Sequence, residues 1–138
     1  MNSPEASQPT APAEAPGRAV LVVDDEPFMC KAAVAMLKAL GHDVEAVSSG
    51  AEAVARVSSE PGRFACALVD FSMTPMDGVT CFRALRAITP SIRVLIMTGY
   101  NMEDMAAGLR AEGIAAVIQK PLTLSLLRDS MDRAMPRD

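Results

Sequence analysis

Residues 19–26 read AVLVVDDE, five apolar residues followed at once by three acids. An uninterrupted apolar run of this kind is typical of a central strand of a parallel sheet, which is buried on both faces. Mostly apolar runs recur at 65–69, 92–97 and 114–118. The half-polar run at 43–48 is instead typical of an edge strand. These runs predict five strands.

Segments with helical spacing of apolar residues follow the strands. In the first, Val34 and Leu37 continue a spacing of three and four, Pro27 favours a helix start and Gly41 a stop. The predicted helices cover 27–40, 50–58, 77–88, 101–111 and 122–135. Strands that alternate with helices predict right-handed crossovers and one parallel α/β sheet with helices on both faces. After residue 121 there is room for one helix, so we expect a single domain.

Polar residues stand where four of the predicted strands end: Asp24-Asp25, Asp70, Thr98 and Lys120. In an open α/β sheet the ligand site lies outside the carboxyl ends of the strands, so these side chains should meet. Clustered carboxylates repel one another and favour a hard cation such as Mg²⁺, which also binds phosphate oxygens. A lysine and a hydroxyl on the same rim can hold a phosphoryl group. The pattern predicts phosphoryl chemistry on an aspartate.

Composition narrows the class of protein. The chain has 138 residues, half of them hydrophobic, with a net charge of −4 and a pI of about 5.0. The net negative charge and an aromatic content of 4 % argue against nucleic acid and anionic lipid as partners. No apolar stretch approaches the length of a membrane span. Three cysteines without a CxxC pair indicate reduced thiols in a cytoplasmic protein, two of them core residues.

The first 17 residues differ in composition from the rest. They contain four prolines but neither a basic start nor an apolar segment, so they do not resemble a secretory signal. We expect residues 1–17 to be a disordered Pro/Ala-rich tail and residues 18–138 to form the folded domain.

Four motifs in order resemble those of the receiver domain of response regulators in bacterial two-component systems. They are VVDDE at 22–26, LVD at 68–70 with MDG at 76–78, MTG at 97–99 and KP at 120–121. The resemblance covers about residues 18–135. It implies a doubly wound (βα)5 domain whose five strands take the flavodoxin-like order 2-1-3-4-5.

The resemblance assigns a metal site. Asp25 would bind Mg²⁺ directly and Asp24 through water, with Asp70 as a further ligand. The remaining protein ligand would be the backbone carbonyl of Ser72, two residues after Asp70.

It also assigns the phosphoryl chemistry. Asp70 would be the phosphoacceptor, Thr98 would donate its hydroxyl to a phosphoryl oxygen and Lys120 would clamp the phosphate. In receivers the peptide bond before the proline at position 121 is commonly cis. Activity would be confined to self-phosphorylation from phosphodonors and self-dephosphorylation, so we do not expect an enzyme in the usual sense.

Two positions depart from the family pattern. Thr74 stands where the family usually has proline, and Pro75 follows it. Val117 stands where the family often has an aromatic residue that rotates inward when the threonine at position 98 moves. Tyr100 is the nearest aromatic substitute in the sequence.

The resemblance implies two kinds of partner. One is a sensor histidine kinase or histidine phosphotransfer protein, which would donate the phosphoryl group. The other is a downstream protein that reads the face made by the fourth helix, last strand and last helix, about residues 101–135. We expect a monomer or weak dimer, either free-standing or part of a larger protein.

Two alternatives differ in class. A haloacid-dehalogenase-type phosphatase shares the aspartate, Mg²⁺, hydroxyl and lysine, but it needs an acid where this chain has Ser72, and a cap domain. A phosphorylation-independent docking module would not need the full set of site residues, and Mg²⁺ binding would discriminate it. The lone histidine, His42, follows Gly41 in a predicted turn and carries no chemistry in either case.

Overall fold

The computed structural model describes residues 17–99 and 103–135. Within them lies one parallel sheet in the order β2-β1-β3-β4-β5. The strands are β1 Ala19–Val23, β2 Val44–Val47, β3 Phe64–Asp70, β4 Arg93–Thr98 and β5 Ala116–Gln119. The predicted fold class and the strand order implied by the resemblance are confirmed.

A helix follows each strand. The helices are α1 Pro27–Ala39, α2 Gly50–Ser59, α3 Gly78–Ile88, α4 Glu103–Glu112 and α5 Leu124–Ala134. Among the described residues, three helices are preceded by an N-cap whose side chain accepts a backbone N–H of the first turn: Ser49, Asp77 and Thr123. Helices α1 and α4 are followed by Gly41 and Gly113, whose φ angles of 93° and 108° favour glycine.

The sheet separates two apolar layers. On one face, Leu37 of α1 and Leu127 of α5 belong to the cluster that contains Val20, Leu68 and Leu95. On the other face, α2, α3 and α4 cover the alternate residues of the same strands. All five residues of β1 are buried, whereas β2 at the sheet edge is half-exposed. The apolar runs at 19–23, 65–69 and 92–97 therefore correspond to the three central strands and the half-polar run to an edge strand, whereas the apolar run at 114–118 forms the other edge strand, β5.

The bounds of every element except β1 differ from expectation by one or two residues at one end or both. Strand β5 begins at Ala116, although Ile114 is already buried, because apolarity reports burial rather than strand pairing. Strand β4 includes Thr98. Helix α4 extends to Glu112, and the first two positions of its predicted range lie outside the described residues.

Most of the predicted tail likewise lies outside the described residues. Gly17, its last residue, donates its backbone N–H to the carbonyl of Gly62 over 2.8 Å. No helix in the described ranges is long and apolar enough to cross a membrane. Cys66 and Cys81 are buried core residues, as expected, and burial raises their pKa values to about 12 and about 11.

Candidate phosphoacceptor site

The carboxyl ends of the strands bring the predicted site residues together. One carboxylate oxygen from each of Asp24, Asp25 and Asp70 lies within 4.8 Å of the others. Lys120 follows β5, and its backbone N–H donates to the carbonyl of Thr98 over 2.7 Å. The predicted convergence of the three acids and the lysine is therefore present in the structure.

Burial differs among these side chains. Asp24, Asp70 and Thr98 are 1 %, 6 % and 1 % exposed, whereas Asp25 is exposed. The cluster thus has a closed inner side at Asp24 and an open outer side at Asp25. A ligand from solution can approach on the outer side.

Asp24 is poorly provided with hydrogen bonds. Its Oδ1 accepts the backbone N–H of Glu26 at 2.9 Å, but its buried Oδ2 has no hydrogen-bond partner among the described residues. Burial raises the pKa of Asp24, and the charges of Asp70 and Asp25 raise it further against the opposing effect of the Glu26 N–H and Lys120. An orphaned oxygen beside two more carboxylates fits a divalent cation with oxygen ligands, as Mg²⁺ requires.

Lys120 joins the cluster from the other side. Its Nζ donates to Oδ1 of Asp70 over 2.8 Å. Burial alone would lower the pKa of Lys120, but the hydrogen bond to Asp70 and the charges of Asp70, Asp24 and Glu26 outweigh it, so the pKa is raised. The lysine therefore stays charged and offsets part of the negative charge. The peptide bond between Lys120 and Pro121 is cis, as in receivers.

The loop from β3 to α3 is held close to the cluster. A Cβ on Gly78 would lie 2.6 Å from the backbone oxygen of Asp70, so only glycine fits this approach. The Gly78 N–H donates to the carbonyl of Phe71, and Met73 is buried. Sequence reasoning quoted Gly78 within a motif but missed this role.

The far end of the same loop also lies close to α2. A Cβ on Gly50, the first residue of α2, would lie 2.6 Å from Sδ of Met76. The Thr74–Pro75 peptide bond is also cis, which the sequence did not indicate. Ser72 is exposed, and the ligand role of its carbonyl stays a prediction.

Val117 packs against the cluster of apolar residues on the α2–α4 side of the sheet and is half-buried. No aromatic ring stands at this position, as the sequence requires. Tyr100, the suggested substitute, lies outside the described residues.

Comparison with known proteins agrees with this geometry. The family model for the response regulator receiver domain matches residues 20–132. The transcriptional regulatory protein ZraR of Salmonella typhimurium is 31 % identical over 116 residues, which are 84 % of this chain and 26 % of ZraR. The chain thus spans about a quarter of the length of that relative.

Solved structures share the fold. A response regulator receiver domain from Clostridium thermocellum superposes with a TM-score of 0.79 at 26 % identity, covering 86 % of this chain and 94 % of the other. A Borrelia burgdorferi complex of CheX and CheY with BeF3 and Mg²⁺ gives a TM-score of 0.81 at 21 % identity, covering 92 % and 96 %, which shows the fold alone. On the family match and the acidic cluster together, this chain belongs to the response regulator receiver domain family.

Proposed function

We propose that this domain is an Mg²⁺-dependent phosphoacceptor that takes a phosphoryl group from a phosphohistidine onto Asp70. The observation that carries the proposal is the cluster itself: three carboxylates within 4.8 Å, one with an orphaned buried oxygen, and a lysine 2.8 Å from Asp70. The donor would be a sensor histidine kinase or a histidine phosphotransfer protein. Receiver domains are in general signalling modules rather than catalysts.

Asp24, Asp25, Asp70 and the backbone carbonyl of Ser72 would hold the metal. When bound, Mg²⁺ would neutralise the charge that develops on the phosphoryl oxygens. The orphaned Oδ2 of Asp24 supports this assignment, because a buried carboxylate oxygen without a partner is costly.

The remaining steps belong to the side chains. A carboxylate oxygen of Asp70 attacks phosphorus, the phosphorus–nitrogen bond to the donor histidine breaks, and its electron pair returns to the imidazole. Lys120 exchanges its hydrogen bond with Asp70 for one with a phosphoryl oxygen. Thr98, at the end of the neighbouring strand, donates its hydroxyl to another.

Phosphorylation would act by shifting a conformational equilibrium. A phosphoryl group adds charge and strong acceptor oxygens beside Thr98 and Lys120, which adjoin β4 and β5. We infer that α4, β5 and α5 form the output face for a downstream protein. Residues 18–138 would be the signalling unit, with residues 1–17 as a tail, in a cytoplasmic monomer or weak dimer.

Membership of the receiver domain family argues against the alternative of a haloacid-dehalogenase-type phosphatase. The docking-module alternative differs in needing neither metal nor phosphate.

Incubation of the full chain with Mg²⁺ and acetyl phosphate tests the proposal, read by intact-protein mass. We expect one added phosphoryl group per chain in wild type and in Ser72→Ala, and none in Asp70→Asn or with EDTA. A chain that gains no phosphoryl group from acetyl phosphate or from any phosphorylated histidine kinase of its host would instead be a docking module.

A further inference from the structure

A groove of about 380 Å³ lies between α3 and α4. Its inner wall is apolar, made by the half-buried Phe71 and Val79 and the buried Leu109. Met105 lies at the edge of the groove and is 48 % exposed. The backbone of Phe71 is fixed by two hydrogen bonds, since its N–H donates to the carbonyl of Met97 and its carbonyl accepts the N–H of Gly78. The groove is therefore a preformed apolar recess.

The rim of the groove carries excess negative charge. Among the described residues that line it, three are acids and one, Arg83, is a base. Arg83 is already engaged by Glu112 through two hydrogen bonds of 3.0 and 3.1 Å. Asp77 caps α3 by accepting the backbone N–H of Thr80 over 2.8 Å, so the carboxylate of Asp104 is the more available of the two remaining acids. The three acids and one base still leave the described rim with a net charge of −2. A matching ligand would combine an apolar group with positive charge.

Gly108 opens the groove on the α4 side. It lies in the interior of α4, and a Cβ built on it would meet no heavy atom of the described residues within 4 Å. Glycine inside a helix destabilises the protein relative to alanine. Nothing in the described fold requires glycine here, unlike Gly78. A glycine in a helix interior that no packing contact requires is a departure from helix propensity, and such departures are typical of functional surfaces.

We propose that this α3–α4 groove is the docking site for an amphipathic helix of a partner protein, which presents a long apolar side chain flanked by lysine or arginine. The notch at Gly108 lets the partner's backbone approach α4 closely, since interaxial distance depends on the side chains at the contact. The apolar side chain packs on Met105 and Leu109, and the basic groups face Asp77 and Asp104. This groove shares α4 with the output face proposed above, but its other wall is α3.

A synthetic helical peptide with leucines at heptad a and d positions and lysines beside them is the probe. Titrated into the ¹⁵N-labelled full chain, it should shift backbone resonances of residues 79–83 and 104–112. Met105→Ala should weaken binding by about fivefold, while Leu126→Ala, an exposed leucine of α5, should not change it. The same peptide with glutamate in place of lysine should not bind.

Gly108→Ala separates a docking role from a merely flexible helix. We expect its melting temperature to rise by about 2–5 °C while peptide affinity falls by about fivefold. Gly62→Ala, where a Cβ also meets open space, is the matched control and should leave affinity unchanged. The proposal is overturned by wild-type affinity in Gly108→Ala, by shifts centred on Asp25 or on α5, or by the absence of binding.

Discussion

Nζ of Lys120 donates to Oδ1 of Asp70 over 2.8 Å, although the two residues are 50 positions apart in the chain. The lysine side chain is 21 % exposed and the aspartate 8 %. This pair joins the last strand of the sheet to its centre and fixes the carboxylate of Asp70, the proposed phosphoacceptor. Among the described residues, Lys120 is also the one cation in direct contact with the acidic cluster.

Lys120→Met tests that pair. Removing the ammonium leaves Asp70 beside Asp24 and Asp25 without its compensating charge, so the metal-free protein should lose about 1–3 kcal/mol of unfolding free energy. Urea denaturation in EDTA measures this loss. Lys38→Met, at an exposed position of α1, should change stability by less than about 0.5 kcal/mol. Equal stability of Lys120→Met and wild type would show that the pair does not relieve charge repulsion.

Asp24→Asn should have opposite effects with and without metal. Burial raises the pKa of Asp24, so its charged form destabilises the folded state at neutral pH and the amide should stabilise the metal-free protein by about 1–2 kcal/mol. Mg²⁺ at ten to a hundred times Kd should stabilise wild type by about 1–3 kcal/mol. Asp24→Asn and Asp25→Asn should both lose this gain.

Asp129→Asn, an exposed acid of α5, is the control for general charge effects and should keep the gain from Mg²⁺. Thermal melts over a Mg²⁺ series measure all four proteins. A melting temperature of wild type that does not respond to millimolar Mg²⁺ would contradict the metal assignment.

A parallel sheet and the meeting of four strand ends were predictable because both follow from local patterns, whereas the strand order came from the resemblance to receiver domains. Apolar runs identify buried strands, and parallel strands place their ends along one edge of the sheet. Asp70 and Lys120 could therefore be placed near each other without a structure. The 2.8 Å hydrogen bond between them could not be predicted from the sequence.

Contacts between side chains far apart in sequence were not predictable. Two examples are the close approach of Gly50 to Met76 and that of Gly78 to the backbone of Asp70. Both depend on how the loops pack on the sheet, which the periodicity of apolar residues does not encode. The same holds for Glu45, which binds Arg56 and Arg63 across 11 and 18 positions. Sequence showed a half-polar edge strand there but not an ion cluster.

Glu45 gives a pH prediction. Hydrogen bonds from Arg56 and then Arg63 lower its pKa from 4.5 to about 2 in the folded state. A depressed carboxyl pKa stabilises the fold fully above the unfolded pKa, and the contribution is lost as pH falls from about 4.5 towards 2. Glu45 is 30 % exposed, so solvent screens part of its interaction with the two arginines. We therefore expect Glu45→Gln to lose about 1–2 kcal/mol of unfolding free energy at neutral pH.

The difference in unfolding free energy between wild type and Glu45→Gln should shrink towards zero at about pH 2–3, measured by urea denaturation. Asp129→Asn again serves as the control, with no such pH-dependent difference. A difference that stays constant over this range would show that the two arginines do not depress the Glu45 pKa.

The switch should not depend on residue 117. Val117 is half-buried in the core cluster and has no ring to rotate, so activation should move Thr98 and the residues that follow it. Beryllofluoride with Mg²⁺ should give large backbone shifts at 97–106 and modest ones at 115–118. If the largest changes remote from the site fall on α1, then α4, β5 and α5 are not the output face.

Assignment of the phosphorylated residue tests the central claim most directly. The full chain is phosphorylated with acetyl phosphate and Mg²⁺, reduced with borohydride to convert an aspartyl phosphate to homoserine, and sequenced by tandem mass spectrometry. The account predicts homoserine at position 70 and at no other acid. Phosphate on Ser72, Thr74 or Thr98, or homoserine at position 24 or 25, would contradict Asp70 as the phosphoacceptor.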